Sequence, residues 1–174
     1  SINVDLINHR IDESLDFHAG ETTYRHDGIS IGKDYLRLEG HTVTRGELMP
    51  ESLSSQEIIG KGAFSTVRRA MWTRPDSLEP TAVAIKDYAL IDSSPQRRQM
   101  FRKELRALCQ MKNESLVQLH GAFLEADTDT VTMVLELMNR GSLKDLIQRQ
   151  SAPLSERIIA PIAYQMLHGL SFLH

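Results

Sequence analysis

The stretch GKGAFSTV, residues 60–67, contains two glycines spaced two positions apart, followed by small and aromatic residues and a valine. Glycine has no Cβ, so the backbone at Gly60 and Gly62, and beside the small Ser65, can approach phosphate oxygens with its N–H groups. Glycine pairs also recur in ordinary hairpin turns. Taken alone, the stretch is therefore a weak indication of a phosphate-covering loop, and it needs partner residues elsewhere.

Two such partners follow in the chain. Lys86 ends the stretch VAIK, residues 83–86, which otherwise has strand character. A lysine of this kind is often an edge residue with a solvated head group. If it is buried, its ammonium needs a carboxylate, which Glu104 in the following helical segment can supply. The alternative for Glu104, within RKELR, is a solvated position on the helix surface.

The sequence from Leu53 to Met138 alternates between strand-like runs and one helix. Three short runs between Leu53 and Tyr88 predict three antiparallel strands, and residues 116–138 predict two more around the turn EADTDT. Ser94 and Pro95 suit the N-cap and first position of the intervening helix. Its apolar stripe recurs at helical spacing, and it consists of Phe101, Leu105 and Leu108.

Two further helices are predicted near the C-terminal end. Gly141 separates the preceding strand from the next helix. Ser142 is a candidate N-cap of that helix, and Asp145 suits its first turn. The last helix begins either near Ala160, with Pro161 in its first turn, or at Ser155, with a kink at the proline. Its apolar stripe has no core partner in the sequence and comprises Ile159, Ile162, Ala163, Met166, Leu167, Leu170 and Leu173.

Residues 1–52 are mixed and polar, without an internal repeat, and we interpret them as an N-terminal extension of unknown role. Within the extension, Ile29 and Ile31 alternate before the turn at residues 32–34, and Tyr35, Leu36 and Leu38 follow it. This pattern predicts one small hairpin.

Taken together, these features resemble the eukaryotic protein kinases. GKGAFSTV is similar to their Gly-rich loop, VAIK to the lysine motif of their third strand, and Glu104 to the glutamate of helix C. LVQLHGAF and VLELMNRGSLKDLI are similar to the strands, hinge and helix D that follow. The resemblance covers residues 55–174 and implies an α+β fold. Residues 53–138 would form a five-stranded antiparallel N-lobe sheet with helix C and the hinge, and residues 139–174 would begin an incomplete C-lobe with helices D and E.

The resemblance also implies a role for each matching residue. Lys86 would contact the α and β phosphates of ATP, and Glu104 would hold that lysine in place. Leu135 is at the gatekeeper position, and Ser65 stands where most kinases have the third glycine of the loop. Ser142 and Asp145 are candidates near the ribose, although a helix cap explains both equally well. The remaining nucleotide-binding candidates are Ile59, Val67 and Ala84 around the adenine, the backbone of Glu136 and Met138 at its edge, and the loop residues Gly60, Lys61, Gly62, Ala63 and Phe64.

Within the kinases, the stretches LVQLHGAF, LELMNRGSL and MLHGLSFLH are most similar to MAP kinase kinases, whereas GKGAFSTVRRA also resembles the loop of calmodulin-dependent kinases. The first assignment implies a MAP kinase as the substrate and an upstream kinase as the activator. Residues 1–50 contain no convincing docking motif for a MAP kinase.

ATP and Mg2+ are the cofactors that the resemblance implies. The catalytic loop, the Asp-Phe-Gly motif and the Mg2+ ligands would follow His174, and the chain starts with Ser rather than Met. We therefore expect a fragment that is inactive by itself and belongs to an active kinase. The alternative is a truncated, non-catalytic module that binds partners through its kinase-like lobe.

The amino-acid composition narrows the classes of protein and the locations that need to be considered. The formal net charge is −3 with 25% charged residues, which gives no reason to expect nucleic acid. The one cysteine, Cys109, has no partner for a disulfide or a cysteine metal site and favours a reducing, cytoplasmic location. No apolar run is long enough for a membrane span, and the N-terminus lacks the form of a signal peptide.

Overall fold

The computed structural model describes residues 23–46, 48–63, 65–89, 93–125, 127–128 and 130–173. These ranges contain two antiparallel sheets, three helices and a short 3-10 turn at Pro50–Ser52. The strands are β1 Thr23–His26, β2 Ile29–Gly32, β3 Tyr35–Leu38, β4 His41–Arg45, β5 Leu53–Lys61, β6 Thr66–Trp72, β7 Thr81–Ala89, β8 Leu119–Glu125 and β9 Thr130–Glu136. The helices are α1 Pro95–Gln110, α2 Leu143–Arg149 and α3 Glu156–Leu173.

The larger sheet has five strands in the order β5-β6-β7-β9-β8, all antiparallel. This confirms the predicted sheet. Its central register places Val67 opposite Lys86 and Ala84 opposite Leu135. Because side chains alternate along a strand, Ala84 and Lys86 share one face of the sheet.

The smaller sheet is a four-stranded meander in the order β1-β2-β3-β4, here called the N-terminal sheet. The predicted hairpin is confirmed as β2–β3, but it is one part of a larger sheet that the sequence did not predict. The two outer hairpins turn at Asp27-Gly28 and Glu39-Gly40, where all four residues have φ between 46° and 80°. Two-residue type I′ turns require positive φ at both positions, which matches the right-handed twist of the strands.

Helix α1 packs against both sheets. Ser94 is its N-cap and accepts a hydrogen bond from the backbone N–H of Arg97 at 3.4 Å, and Pro95 is its first residue, as predicted. The side chains of Phe101 and Leu105 are fully buried. They belong to one core with both sheets, which comprises Tyr24, Ile29, Ile31, Leu36, Tyr88, Phe101, Leu105, Ala122, Leu124, Val131 and Met133.

Arg106 ties α1 to both outer turns of the N-terminal sheet. Its guanidinium lies 3.0 Å from Asp27 Oδ2 and 3.0 Å from Glu39 Oε1, and it also donates to the carbonyl of Asp27. The Glu39 N–H donates to the Gly28 carbonyl at 2.7 Å, so the two turns are bonded to each other as well. One side chain therefore fixes the end of the N-terminal sheet against the helix.

The opposite face of the five-stranded sheet has a second core. Leu48, in the segment that joins the two sheets, belongs to this core, and the partly buried Leu53 at the start of β5 packs against it. The buried members of this core are Leu48, Ala70, Trp72, Val83, Ile85, Phe123 and Val134. Both faces of the sheet are thus apolar and covered over much of their length.

Helix α3 starts at Glu156, because the N–H groups of Ile158 and Ile159 donate to the Ser155 carbonyl at 2.9 and 3.0 Å. The alternative start near Ala160 is wrong, since these bonds complete a turn before Pro161. Much of the helix's apolar stripe is exposed, with Leu167 at 66%. In the described ranges, no helix is long and apolar enough to cross a membrane.

Candidate functional site

Lys86 of β7 and Glu104 of α1 form an ion pair. Lys86 Nζ donates to Glu104 Oε1 at 2.6 Å, with the two side chains 22% and 38% exposed. The burial of Phe101 and Leu105 on either side of Glu104 fixes the helix against the sheet, which directs the carboxylate toward β7. The structure therefore brings together the two residues that the sequence proposed as a functional pair.

Tyr88 is a third member of this cluster, and it was not predicted from the sequence. Its hydroxyl donates to Glu104 Oε2 at 2.5 Å, and Lys86 Nζ lies 5.3 Å from the centroid of its ring. Tyr88 follows Lys86 by two positions in a strand, so the period-2 rule would have placed both on one face. Each oxygen of the Glu104 carboxylate thus has its own donor.

Burial raises the pKa of Tyr88 above its ordinary value of 10.0, and the hydrogen bond to Glu104 and that carboxylate's charge raise it further. The nearby Ser65 side chain favours the opposite shift. The residue at the third glycine position therefore acts on Tyr88, which is bonded to Glu104.

The Gly-rich stretch connects β5 and β6 as a hairpin. Gly60 lies opposite Val67, and the Gly62 N–H donates to the Ser65 carbonyl at 2.8 Å. A Cβ built on Gly60 or Gly62 would meet its nearest atom at 3.7 or 3.5 Å, which is ordinary contact. Packing among the described residues therefore does not require glycine at either position. Phe64, also predicted to contact nucleotide, lies outside the described residues.

An apolar surface lies beside the ion pair on the same face of the sheet. Ala84 and Leu135 are opposite one another in β7 and β9, 7% and 9% exposed. Val67 lies opposite Lys86 in the next strand, and Ile59 at the end of β5 is 48% exposed. The sheet thus presents small and branched apolar side chains next to the lysine.

The segment after β9 was predicted to bind the edge of an adenine. The N–H of Glu136 already donates to the Gln118 carbonyl at 2.9 Å. Glu136 can therefore offer a ligand its carbonyl but not its N–H. Met138 follows with a side chain that is 52% exposed.

Ser142 and Asp145 form the capping box of α2. The Asp145 N–H donates to Ser142 Oγ at 3.1 Å, and the Ser142 N–H donates to Asp145 Oδ2 at 2.7 Å. The hydrogen bonds from Ser142 hold the pKa of Asp145 below its usual value. The cap accounts for all of these contacts, so a role for Ser142 near a ribose stays a prediction.

Metal ligands are not clustered in the described part of the chain, where no group of three or more His, Cys, Asp or Glu side chains is arranged to hold an ion. Lys61 and Ala63, the remaining predicted loop residues, lie at the end of β5 and in the turn that follows. Both are exposed, and their contact with a ligand also stays a prediction.

Comparison with known proteins identifies the family. A profile described as protein tyrosine and serine/threonine kinase matches residues 53–174. The chain is 33% identical over 117 residues to mitogen-activated protein kinase kinase 3 of Arabidopsis thaliana, which covers 67% of the chain and 21% of that protein. It is 28% identical to the probable serine/threonine-protein kinase SIS8 (83% and 13%) and 31% identical to the serine/threonine-protein kinase CTR1 (70% and 14%), both from the same plant.

The chain thus spans about a fifth or less of the length of these curated relatives. The region that the family profile matches includes the Gly-rich stretch, the lysine strand and helix α1, which are the elements that form the candidate site. The sequence-based resemblance to eukaryotic protein kinases is confirmed, and the five-stranded sheet with its helix agrees with a truncated kinase fold. The chain belongs to the protein tyrosine and serine/threonine kinase family.

Proposed function

We propose that this chain is the ATP-binding part of a MAP kinase kinase-like protein kinase, which transfers the γ-phosphate of ATP to Ser, Thr or Tyr side chains of a MAP kinase. The observation that carries the proposal is the Lys86–Glu104 pair, closed at 2.6 Å beside the apolar surface of Ala84 and Leu135. A lysine held by a carboxylate at the edge of an apolar surface suits a ligand with an aromatic base and a charged tail.

In this proposal Lys86 binds the α and β phosphates, and Glu104 keeps its ammonium from turning to solvent. The backbone N–H groups around Gly60 and Gly62 lie over the phosphates, where their partial charges favour anions. The Glu136 carbonyl and the Met138 N–H bond the adenine edge while Ala84 and Leu135 contact its faces. ATP with Mg2+ supplies the phosphoryl group and neutralises its charge, and the residues of this chain bind and orient it.

The assignment to MAP kinase kinases is supported by the 33% identity to the Arabidopsis thaliana protein of that name. The similarity to SIS8 and CTR1 supports serine/threonine specificity more broadly. We also propose a cytoplasmic location with an upstream kinase as activator, in keeping with the unpaired Cys109.

Nucleotide binding is the first test. In Lys86→Met, we expect the dissociation constant of ATP, measured by isothermal titration calorimetry, to rise by roughly tenfold or more, because a charge-assisted contact to phosphate is lost. Lys144→Met, an equal charge change on the exposed surface of α2, serves as the matched control. Equal ATP affinities for the wild type and Lys86→Met would contradict the proposed site.

Substrate class needs the full-length protein. We expect radiolabelled phosphate to be transferred to a catalytically inactive MAP kinase, and to be lost when the Thr and Tyr of that substrate's activation loop are replaced by Ala and Phe. Transfer to a general substrate such as myelin basic protein without transfer to the MAP kinase would point to another kinase group. ATP binding without any transfer would favour the non-catalytic module.

A further inference from the structure

A cleft of about 970 Å3 is lined by residues of the N-terminal sheet and of α1. We call it the basic cleft, because Arg25 and Arg37 line it from the sheet and Arg102, Lys103 and Arg106 line it from the helix. Arg102 and Lys103 precede Arg106 by four and three positions, so the three helical residues lie on one side of α1. None of the residues proposed to contact ATP lines this cleft.

Most of this positive charge has no carboxylate partner among the residues that the structure describes. Arg106 is paired with Asp27 and Glu39. Across the described ranges, the other four cations form no ion pair with a carboxylate. Arg37 lies 5.3 Å from the ring centroid of Tyr35, a contact with an aromatic face that leaves its charge in place. Within the described part of the chain, four of the five cations are therefore left for an anion to neutralise.

Arg102 is unusual among the residues of the cleft because its charged side chain is buried. It is 8% exposed, although a guanidinium stays charged at any ordinary pH. Its charge acts on the Tyr24 hydroxyl, where it partly offsets the rise in pKa that burial causes, and no carboxylate among the described residues forms an ion pair with it. A buried charge without a counter-ion is costly, and an apolar side chain of the same volume would pack here without that cost. An anion that enters the cleft would offset the burial of Arg102.

We propose that the basic cleft binds a phosphomonoester carried by a phosphoserine or phosphothreonine in a polypeptide. A phosphate dianion brings up to two charges and three acceptor oxygens, which suits several arginines better than a single carboxylate does. Arg102 is recessed, so the anion must enter the cleft, and the volume admits a phosphorylated side chain with neighbouring residues. A membrane surface is instead bound by projecting Lys and Arg side chains.

The inference goes beyond the proposed kinase function because it uses none of the residues of the nucleotide site. It has a consequence for that site, however, because Arg102 and Lys103 immediately precede Glu104 in α1. A ligand in the basic cleft would contact the same turn of the helix that holds the carboxylate toward Lys86.

The test is a fluorescence polarisation assay on the full-length protein with two degenerate peptide libraries, one centred on phosphothreonine and the other on threonine. We expect the phosphorylated library to bind at least about tenfold more tightly, and this affinity to fall as salt is raised. Arg102→Gln should weaken binding by about tenfold or more. Arg157→Gln, the same charge change on the exposed surface of α3, should bind like the wild type.

Arg102 is buried, so its variant is accompanied by Arg37→Gln and Lys103→Gln, both exposed and expected to fold normally. Both exposed variants should also weaken phosphopeptide binding. Circular dichroism melts should show that they fold like the wild type. Lys86→Met should retain phosphopeptide binding, which separates this site from the nucleotide site. Equal binding of both libraries, or wild-type affinity in all three cleft variants, would overturn the proposal. Tighter binding to vesicles containing phosphatidylinositol bisphosphate than to phosphopeptides would contradict the proposal that the bound phosphate is carried by a polypeptide.

Discussion

Replacing Tyr88 with phenylalanine removes one hydroxyl and leaves the ring in place, 5.1 Å from the ring of Phe101. The change deletes the 2.5 Å hydrogen bond to Glu104 Oε2 while the bond from Lys86 to Oε1 remains. Glu104 then has one donor instead of two. The substitution therefore measures how much the second donor contributes to holding the carboxylate in the paired position.

The expected effect of Tyr88→Phe follows from the hydrogen bond that is lost and from the exposure of Glu104. A hydrogen bond to a charged group contributes roughly 1.5–3 kcal/mol, but the Glu104 side chain is 38% exposed, so water replaces part of the loss. We expect the free energy of unfolding to fall by about 1–1.5 kcal/mol, and the dissociation constant of ATP to rise by up to about tenfold.

Urea denaturation and isothermal titration calorimetry measure the two quantities. Tyr164→Phe is the matched control, because Tyr164 is 69% exposed on α3 and far from Glu104 in the sequence. Wild-type stability together with wild-type ATP affinity in Tyr88→Phe would refute the reasoning, since Glu104 would then be positioned without its second donor.

The same tyrosine predicts a pH dependence. The pKa of Tyr88 is raised above its ordinary 10.0 chiefly by burial, so the folded protein retains a proton that the unfolded chain loses. Stability should therefore be complete below pH 10 and decrease as the pH rises above it. Burial also raises the pKa of Tyr24, so this residue likewise makes the stability decrease as the pH rises. Unfolding curves of Tyr88→Phe should show a shallower alkaline slope than the wild type, and an identical slope would contradict the assignment.

Three further predictions concern packing and reactivity. Leu105→Ala should lower the free energy of unfolding by about 2–5 kcal/mol in urea denaturation because its side chain is fully buried, whereas Leu167→Ala, 66% exposed, should cost less than about 0.5 kcal/mol. Gly121→Ala would place a Cβ 2.8 Å from Thr44 Cγ2, so thermal melts should show a loss of about 1–3 kcal/mol that Thr44→Ala partly restores, and additive effects of the two changes would contradict this contact. Burial raises the pKa of Cys109 to about 11, so its labelling by iodoacetamide at pH 8 should be slow in the folded protein and fast in urea, and rapid labelling without urea would count against its burial.

The parts of the fold that the sequence predicted are those with local signals. The Gly-rich loop, the VAIK strand and the Ser94 cap each depend on residues close together in the chain, and the structure has an element at each place. Whether Lys86 and Glu104 are paired was not predicted. The sequence supplied both partners, but their distance depends on how α1 packs on the sheet.

The N-terminal sheet was mostly missed because its strands have only four or five residues, too few for a clear period. The dipeptide Asp27-Gly28 is a local signal that would have predicted the first outer hairpin, whereas Glu39-Gly40 is not one of the usual type I′ pairs. Its burial was not predictable locally, since the helix that covers it lies far along the chain. For the same reason, no sequence pattern indicated that Arg106 would bond to both turns.

That long separation has a consequence for how the protein folds. The three hairpins of the N-terminal sheet close within residues 23–45 and can form in microseconds, but such a small sheet is marginally stable until its apolar face is covered. Its cover comes from α1 and β8, whose buried residues begin at Phe101. Contacts at that separation form slowly, so the sheet should gain lasting protection only when α1 docks. In native-state hydrogen exchange, the amides of β2 and of α1 should therefore open together as one cooperative unit.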